Sequence, residues 1–587
     1  MVKGLKSAFT MKNQEIADIF STIADILEIQ NENQFKVNAY RKAARALTDL
    51  NVDIEQLQQQ DQLSSIPGVG KAIAKKIDQY LNTGKIQKYE ELISEFPKGL
   101  LELLKIQNLG PKTIALAAKK LNVQNLDDLL VVIENGSLSK LPGMGEKKVQ
   151  KIKAGVDYYL SSRGNILISQ ALTVAEEIVR HLAETSNPED ISIAGSIRRM
   201  KETVHDIDIL VASKQPKSCI KNFVDFKGVR EVIAAGETKA SIRRTDGSQV
   251  DLRVVSPENF AAALLYFTGS KAHNVKLRSL AKNKSLKINE YGVFKNDRKI
   301  ATDSEEDIYR KLGLSWIAPE LREDRGEVEL AEENRLPVLI NREDILGDLH
   351  VHSNYSDGHH SIESMAESAA AMGYQYIAIC DHSKSANYAN GLSAEKLEQQ
   401  IKEIDSLNQR FDNFKILKGA EVDILPDGAL DFPDNLLQQL DIIVASIHSA
   451  FNQNPTERIL TAMNNSYVDI IGHPTGRLIN QRQGYDVDLA KVVEKAQQKG
   501  IALELNAHPL RLDLNDVDAK MAKDSGIKIA INTDAHATKD LNFIEFGIGV
   551  ARRAWLEKND VLNCQTCQKI LNNKRKKQDT QNEMLEK

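Results

Sequence analysis

Three short glycine turns, each set between two helical stretches, constrain how the first part of this chain can fold. They read Ile66-Pro67-Gly68-Val69-Gly70-Lys71, Ile106-Gln107-Asn108-Leu109-Gly110-Pro111-Lys112 and Leu141-Pro142-Gly143-Met144-Gly145-Glu146-Lys147-Lys148. Each follows one helical pattern and precedes another rich in Ala, Lys and Ile, the helix-hairpin-helix pattern h-x-G-h-G. Glycine allows the tight reversal, and the N-terminus of the next helix offers free N–H groups that a DNA phosphate can accept. One such turn could close any pair of antiparallel helices. Three with trailing lysines point to a surface that grips a nucleic-acid backbone, with Gly68, Gly70, Gly110, Gly143 and Gly145 as its turns. Asn108 replaces the first glycine of the middle copy, and Asn tolerates the left-handed conformation. The net charge is −5, so any such surface is local rather than spread over the molecule.

From residue 161 the pattern changes to alternating helix and strand, and three carboxylates appear. Asp206-Ile207-Asp208-Ile209-Leu210-Val211 reads as a strand with Asp206 and Asp208 on one face, since side chains at i and i+2 point the same way. Gln249-Val250-Asp251-Leu252-Arg253-Val254 reads as a second strand able to lie beside it. Three carboxylates on one sheet surface suit two hard divalent cations, Mg²⁺ first. Gly195-Ser196 upstream offers backbone N–H groups and a hydroxyl, and Arg198 and Arg199 add positive charge. That combination suits a triphosphate and nucleotidyl transfer. Residues 259–320 carry Tyr266-Phe267-Thr268-Gly269-Ser270. The charged stretch Leu321–Asn334 shows no apolar periodicity and is expected to open an interdomain linker.

Beyond Gly347, short β-branched runs alternate with helices: Ile377–Cys380, Lys415–Leu417, Ile442–Ser446, Ile470–Gly472, Ala502–Leu505 and Lys528–Ile531. That rhythm predicts a parallel barrel with its site at the C-terminal strand ends. The polar residues fall at those ends: Asp348-Leu349-His350-Val351-His352, Asp357, Asp381-His382, Glu421-Val422-Asp423, His448, His473, and Asp534-Ala535-His536. A lone histidine there would more often be a satisfied polar residue. Six of the chain's 12 histidines, joined by carboxylates, make a metal cluster. Imidazole with carboxylate favours Zn, Mn or Fe over Mg. So many ligands exceed the needs of one ion and suit two or three, which can generate hydroxide and act on a phosphoester.

At 587 residues the chain must divide into several domains, and its 42% hydrophobic and 27% charged content is that of an ordinary globular protein. Four scattered cysteines build no disulfide framework, and Cys564-x-x-Cys567 lacks the second half of a zinc ribbon. No apolar run approaches the roughly 18 residues of a membrane span, and no apolar signal core opens the chain. The expected location is the cytoplasm, with no membrane partner.

These motifs, in this order, resemble two known families. Residues 11 to 320 resemble an X-family DNA polymerase of the polymerase beta type, and residues 347 to 570 resemble a PHP (polymerase and histidinol phosphatase) phosphoesterase domain. The implied fold is multidomain: helical helix-hairpin-helix domains, an α+β nucleotidyltransferase palm with a thumb-like subdomain, and a distorted (βα)7 TIM-like barrel. The expected boundaries are 1–88 for a lyase-like helical domain with the first hairpin and 89–160 for a second helix-hairpin-helix subdomain. The palm would take 161–258, a nascent-base-pair subdomain 259–320, a linker 321–346, the PHP domain 347–570 and a solvated tail 571–587.

The resemblance also implies roles. Asp206, Asp208 and Asp251 would be the catalytic metal ligands, with Asp251 placed to accept the primer 3′-OH proton. Ser196 and Arg199 would bind the triphosphate. Tyr266, Phe267, Gly269 and Ser270 would form the sugar pocket, and Asn274 and Arg278 would reach the nascent pair and template. Lys36 and Tyr40 would belong to a 5′-phosphate pocket, with Lys76 the Schiff-base lysine of a deoxyribose-phosphate lyase. His205 departs from the small residue common before the first catalytic Asp. In the PHP part, His350, His352, Glu421 and Asp534 would hold one ion. Glu421 would bridge to a second on His448 and His473, and Asp357, His382 and His536 would hold a third. The implied activity is short-gap filling by a monomer acting on gapped or primer-template DNA with dNTPs, using Mg²⁺. A Mn²⁺- or Zn²⁺-dependent 3′–5′ exonuclease or 3′-end-processing activity would accompany it, with abasic-site cleavage a further possibility of the family. The alternatives are a PHP domain that only supports the polymerase, and a small-molecule phosphatase.

Overall fold

The computed structural model describes residues 12–48, 54–60, 62–66, 68–296 and 298–574. Pro67, within the first glycine turn, and the tail beyond Lys574 lie outside the described residues. The chain forms two compact units, Met1–Arg163 with Asn480–Gln483, and Gly164–Ile479 with Gly484–Lys587.

The first unit is helical, and each expected turn starts a helix: Lys71–Thr83 after Gly70, Pro111–Leu121 after Gly110 and Glu146–Ser162 after Gly145. The residue two places earlier is left-handed in all three copies, with φ of 92° at Gly68, 65° at Asn108 and 73° at Gly143. Asn108 therefore does the conformational job of the glycine it replaces. One apolar core runs from Ile16 through Ile77, Leu103 and Leu129 to Val156, so the division expected near residue 88 does not interrupt the packing.

The second unit begins with a five-stranded sheet in the order Asp190–Ile193, Asp206–Ala212, Gln249–Val255, Lys239–Arg244, Val229–Ala235. The period of two decides its faces. Ile207, Ile209, Val250, Leu252 and Val254 are buried in one core with Ala171 and Ile178 of helix Ile168–Ser186 and Phe223 of helix Pro216–Val224, while Asp206, Asp208 and Asp251 are half-buried. Helices Phe260–Thr268 and Lys271–Asn283, a three-stranded sheet and helix Glu305–Lys311 follow around a separate core.

The linker expected at 321–346 is instead packed. Helix Glu327–Glu332 lies within it, Val328 and Ala331 enter the separate core, and Arg322 and Glu327 are fully buried. Burial here is achieved by paired charges, which carry no apolar periodicity. Arg322 donates to Glu305 at 2.5 and 3.1 Å and to the Ile317 carbonyl at 2.9 Å. Arg198 reaches the same carboxylate at 2.9 and 2.8 Å, and Glu327 lies 2.6 Å from His273 Nδ1. Burial opposes ionisation of Glu305, but the two arginines hold it down at about 2. A depressed carboxylate contributes stability that is fully present above its unfolded value of 4.5 and is lost as pH falls toward 2. Glu305→Ala strands two arginines, and the expected loss is ~3–5 kcal/mol in chemical denaturation near neutral pH. The difference from the parent should shrink in the same titration carried below pH 4.5.

Seven parallel strands form the barrel in chain order: Gly347–Val351, Tyr376–Ile379, Lys415–Asp423, Ile442–Ser446, Ile470–Ile471, Ala502–Asn506 and Ile529–Asn532. A bridge between Val351 and Ala535 brings the last strand beside the first. The tail does not begin at 571. Residues 567–574 are helical, Ile570 and Leu571 join an apolar cluster with Leu349 and Ala530, and Lys574 pairs with Asp469 at 2.9 Å. Among the described residues no helix is long and apolar enough to cross a membrane.

Candidate metal centres

The sheet centre follows from register. Strands Asp206–Ala212 and Gln249–Val255 run parallel with Asp208 opposite Asp251, and Asp206 shares the face, so one oxygen from each can lie within 4.8 Å of the others. Burial, then the charges of Asp206 and Asp251, push Asp208 up to about 7, against Arg199 and Arg253. Concentrated negative charge of this kind is what a divalent cation relieves, so the donors fit the group they were expected to hold. Gly195 sits over the cluster at φ 62°, and a Cβ there would fall 2.0 Å from Asp208 Oδ2, so the turn can approach only as glycine. Asp208, Asp251, Lys239, Arg253 and Phe267 line a cavity of 310 Å³.

Of the expected nucleotide-contacting residues Phe267 lines this cavity, and the others carry internal bonds of their own. Ser196 lies in the one-turn helix Gly195–Arg198 beside Asp208. Arg199 donates to Glu323 at 2.9 Å and to the Thr268 carbonyl at 2.8 Å, so its guanidinium is already engaged. Tyr266 and Phe267 stand edge to face at 5.1 Å. Asn274 holds the bend by donating to the carbonyls of Tyr266 and Gly269, and Ser270 caps the helix Lys271–Asn283. Gly269 has no room for a side chain, since a Cβ would meet Asn274 and His273 at 2.9 Å. Arg278 and His205 are exposed. The sequence reading missed Arg253, whose guanidinium lies 4.8 Å over the Phe267 ring, and Gln249, which donates to Asp251 at 3.1 Å. In the helical unit Lys76 Nζ stands 5.9 Å from the centre of the Tyr40 ring, and burial with the nearby Lys88 and Lys75 lowers its pKa. Lys36 is exposed and pairs with Glu32.

At the barrel mouth, Glu421 is the hub. Its Oε1 lies 3.0 Å from His473 and 3.2 Å from His448, and its Oε2 lies 2.9 Å from His382 and 3.5 Å from His350. His352 meets Asp534 at 3.1 Å and His350 at 3.2 Å, both through Nε2. Asp357 faces His536 at 3.3 Å and His382 at 3.5 Å. All nine expected ligands are therefore brought together, and the groupings overlap: His352 also joins Asp357, His382 and His536, and His382 also joins Glu421 and His448.

The donors fit metal ions on two observations. His352 Nδ1 and His473 Nδ1 are buried without a hydrogen-bond partner, and imidazole nitrogens face one another at 3.2 and 3.3 Å. Such a set is costly unless a cation accepts the lone pairs. Burial raises the energy of the Glu421 charge, but the imidazoles of His448, His382 and His350 hold its pKa well below the ordinary range. Backbone strain marks the same place, with Asp534 at φ 54°.

An outer set of acceptors aims the imidazoles inward. Glu504 lies 2.8 Å from His350 Nδ1 and accepts the His473 backbone N–H at 2.7 Å. Asp423 lies 2.6 Å from His448 Nδ1, and the Asp534 carbonyl 2.8 Å from His536 Nδ1. Each leaves Nε2 free to ligate. Glu504 was missed, although an acid inside the apolar strand Ala502–Asn506 was its signal. Asp348 and Asp381 serve the loops instead, accepting from Thr533 and from the Ser353 backbone.

Comparison with known proteins finds four family matches along the chain. A helix-hairpin-helix domain family matches residues 11–86, a SAM-like helix-hairpin-helix tandem 100–156, a DNA polymerase beta thumb 263–323 and a PHP domain 348–508. DNA polymerase lambda of Rattus norvegicus is 26% identical over 346 residues, 54% of this chain and 57% of that protein. A probable phosphatase of Thermoanaerobacter sp. (strain X514) is 32% identical over 231 residues, 37% of this chain and 89% of that protein. The DNA polymerase/3′–5′ exonuclease PolX of Bacillus subtilis (strain 168) is 42% identical over 567 residues, 95% of this chain and 99% of that protein. With that match end to end, the chain belongs to the PolX family, X-family DNA polymerases carrying a C-terminal PHP domain.

Proposed function

We propose that this chain fills short gaps in DNA by templated synthesis at the Asp206–Asp208–Asp251 centre and trims 3′ ends at the PHP centre by 3′–5′ exonuclease action. The observation that carries this reading is the presence of both ligand sets on one chain, three sheet carboxylates and nine histidine and carboxylate donors. Mg²⁺ suits the oxygen-only sheet centre, and two or three Mn²⁺ or Zn²⁺ ions suit the mixed nitrogen and oxygen donors of the barrel. Cations held there would make a hydroxyl or water more acidic and offset charge on phosphoryl oxygens.

The chain's own residues do the rest. Gly195 and Ser196 offer the triphosphate a backbone amide and a hydroxyl, with the Arg199 charge beside them. Asp251 lies where a primer 3′-OH proton could be taken up. Tyr266, Phe267, Gly269 and Ser270 shape the sugar pocket, held by Asn274, and Arg278 faces outward toward the template. The glycine turns at Gly68, Gly70, Gly110, Gly143 and Gly145 hold phosphates without reading sequence. A monomer suffices for this scheme. Lys76, with its lowered pKa and its place near Tyr40, is the candidate lyase nucleophile. Borohydride should trap the chain on a 5′-deoxyribose-phosphate end, and Lys76→Ala should remove the trapped species.

The deciding assay uses gapped DNA with a mismatched or 3′-phosphorylated primer end. With Mn²⁺ and no dNTPs the primer should be shortened or repaired from its 3′ end, and with Mg²⁺ and dNTPs a matched primer should be extended across the gap. A metal-loaded protein that extends but never trims would favour a supporting, inert PHP domain. Turnover of a small phosphomonoester well above that of the DNA end would favour a phosphatase.

A further inference from the structure

We infer that Arg553, a residue of the PHP part of the chain, is a positioning residue of the polymerase site. It acts through the turn that carries Ser196 and Arg199, and the inference rests on the reading of Arg199 as a triphosphate contact.

The helix Ile544–Arg553 lies under that turn. Arg553 is 4% exposed, although it ends a helix where an arginine would ordinarily reach water. Its Nη1 donates to the backbone carbonyl of Arg199 at 2.8 Å and to Glu323 Oε1 at 3.0 Å. The same Glu323 oxygen accepts from Arg199 Nε at 2.9 Å. One guanidinium therefore fixes the main chain of Arg199 and also the carboxylate that aims its side chain. Nη2 is anchored in turn by Asp516 at 2.8 Å, which also accepts from Arg325 at 2.9 Å. A second contact supports the first. Met200, at φ 53°, closes against Gly549 so tightly that a Cβ on Gly549 would fall 2.5 Å from its methyl carbon.

The arrangement is more specific than a general clamp. Arg552, the neighbouring residue, also ties the two parts together, donating to Glu320 at 2.7 Å and to the Ile340 carbonyl at 2.9 Å, but it touches nothing on the nucleotide turn. A buried arginine that orients another binding group should change how well that group binds, on the scale of roughly 10- to 100-fold. The neighbour, partly buried and without that contact, should change stability alone.

The test is steady-state insertion of one nucleotide into gapped DNA by the full-length chain. KM for the dNTP, affinity for the gapped DNA and exonuclease rate on a single-stranded oligonucleotide are read together with the thermal midpoint. Arg553→Met should raise KM for the dNTP roughly 10- to 100-fold. DNA affinity and exonuclease rate should stay within about twofold, and Arg553→Lys should recover part of the loss because it keeps the charge without the fork. Arg552→Met should lower the midpoint without moving KM. The proposal is overturned if Arg553→Met leaves KM unchanged while Arg199→Ala raises it, or if Arg552→Met raises KM equally. If Arg199→Ala itself leaves KM unchanged, the reading beneath the proposal fails instead. Should Arg553→Met not fold, Arg553→Lys carries the same comparison: a raised KM supports the assignment and an unchanged one overturns it.

Discussion

Asp208→Ala is expected to remove nucleotide incorporation on gapped DNA while leaving exonuclease activity on a single-stranded end within about twofold of the parent. Asp208 stands opposite Asp251 across two parallel strands and two residues from Asp206, at the centre of the three-carboxylate set. Removing the central oxygen donors leaves two carboxylates on separate strands. A loss of several kcal/mol of charge stabilisation at the reacting phosphate is about a thousandfold or more in rate. The substitution shortens a half-buried side chain and relieves repulsion from Asp206 and Asp251, so the fold should tolerate it. Thermal stability in chelator should be equal to the parent's or higher. Because burial and the charges of Asp206 and Asp251 push Asp208 up to about 7, Mg²⁺ binding should release a proton below that pH. At sub-saturating Mg²⁺, incorporation by the parent should therefore climb toward pH 7 and flatten above it. Incorporation that survives Asp208→Ala, or exonuclease lost with it, would sink the assignment of separate tasks to the two centres.

The parts of this molecule that were legible in the sequence are those where one simple period sets the outcome. Alternation in Asp206–Ala212 and Gln249–Val255 put the carboxylates on one face, and register then brought them together. Glycine spacing marked three turns that each lead into a helix, and the left-handed Asn108 shows why the middle copy survived its substitution. Histidines at strand ends could be read as one cluster because a parallel barrel collects those ends on one rim.

What was not legible depends on charges that pair across long sequence separations. Leu321–Asn334 looks solvated, yet Arg322 and Glu327 are buried by partners at Glu305 and His273. Nothing local announces either pair. Arg199 was expected to bind a triphosphate, and nothing near it in the chain announces that Glu323, 124 residues away, holds its guanidinium. Glu504 was overlooked because a single acid in an apolar strand resembles noise until His350 and His473 are seen around it.

Glu421→Gln should be the reciprocal case, with exonuclease falling about a thousandfold or more and gap filling staying within about twofold. Glutamine keeps the shape of the side chain and removes its charge, so the effect isolates electrostatics from packing. In the parent, four imidazoles lie within 3.5 Å of the two Glu421 oxygens, and among the described residues no other carboxylate meets so many of them. An amide in this position can donate or accept but cannot balance cations, and the metal content of the purified protein should drop by at least one ion. The fold has a way to absorb the change. His350, His382 and His448 owe their raised pKa values in part to Glu421, and without it they can lose protons instead of standing buried and charged. In chelator, therefore, the variant and the parent should melt at nearly the same temperature. The difference should emerge on adding Mn²⁺, which stabilises only a state that binds it, so the parent's midpoint should rise with metal and the variant's should rise less. A variant that loses exonuclease, keeps polymerase and fails to respond to Mn²⁺ places the chemistry at the histidine centre. A variant that melts low even in chelator, or that stops filling gaps, would show Glu421 supporting the fold rather than the cleavage of a 3′ end.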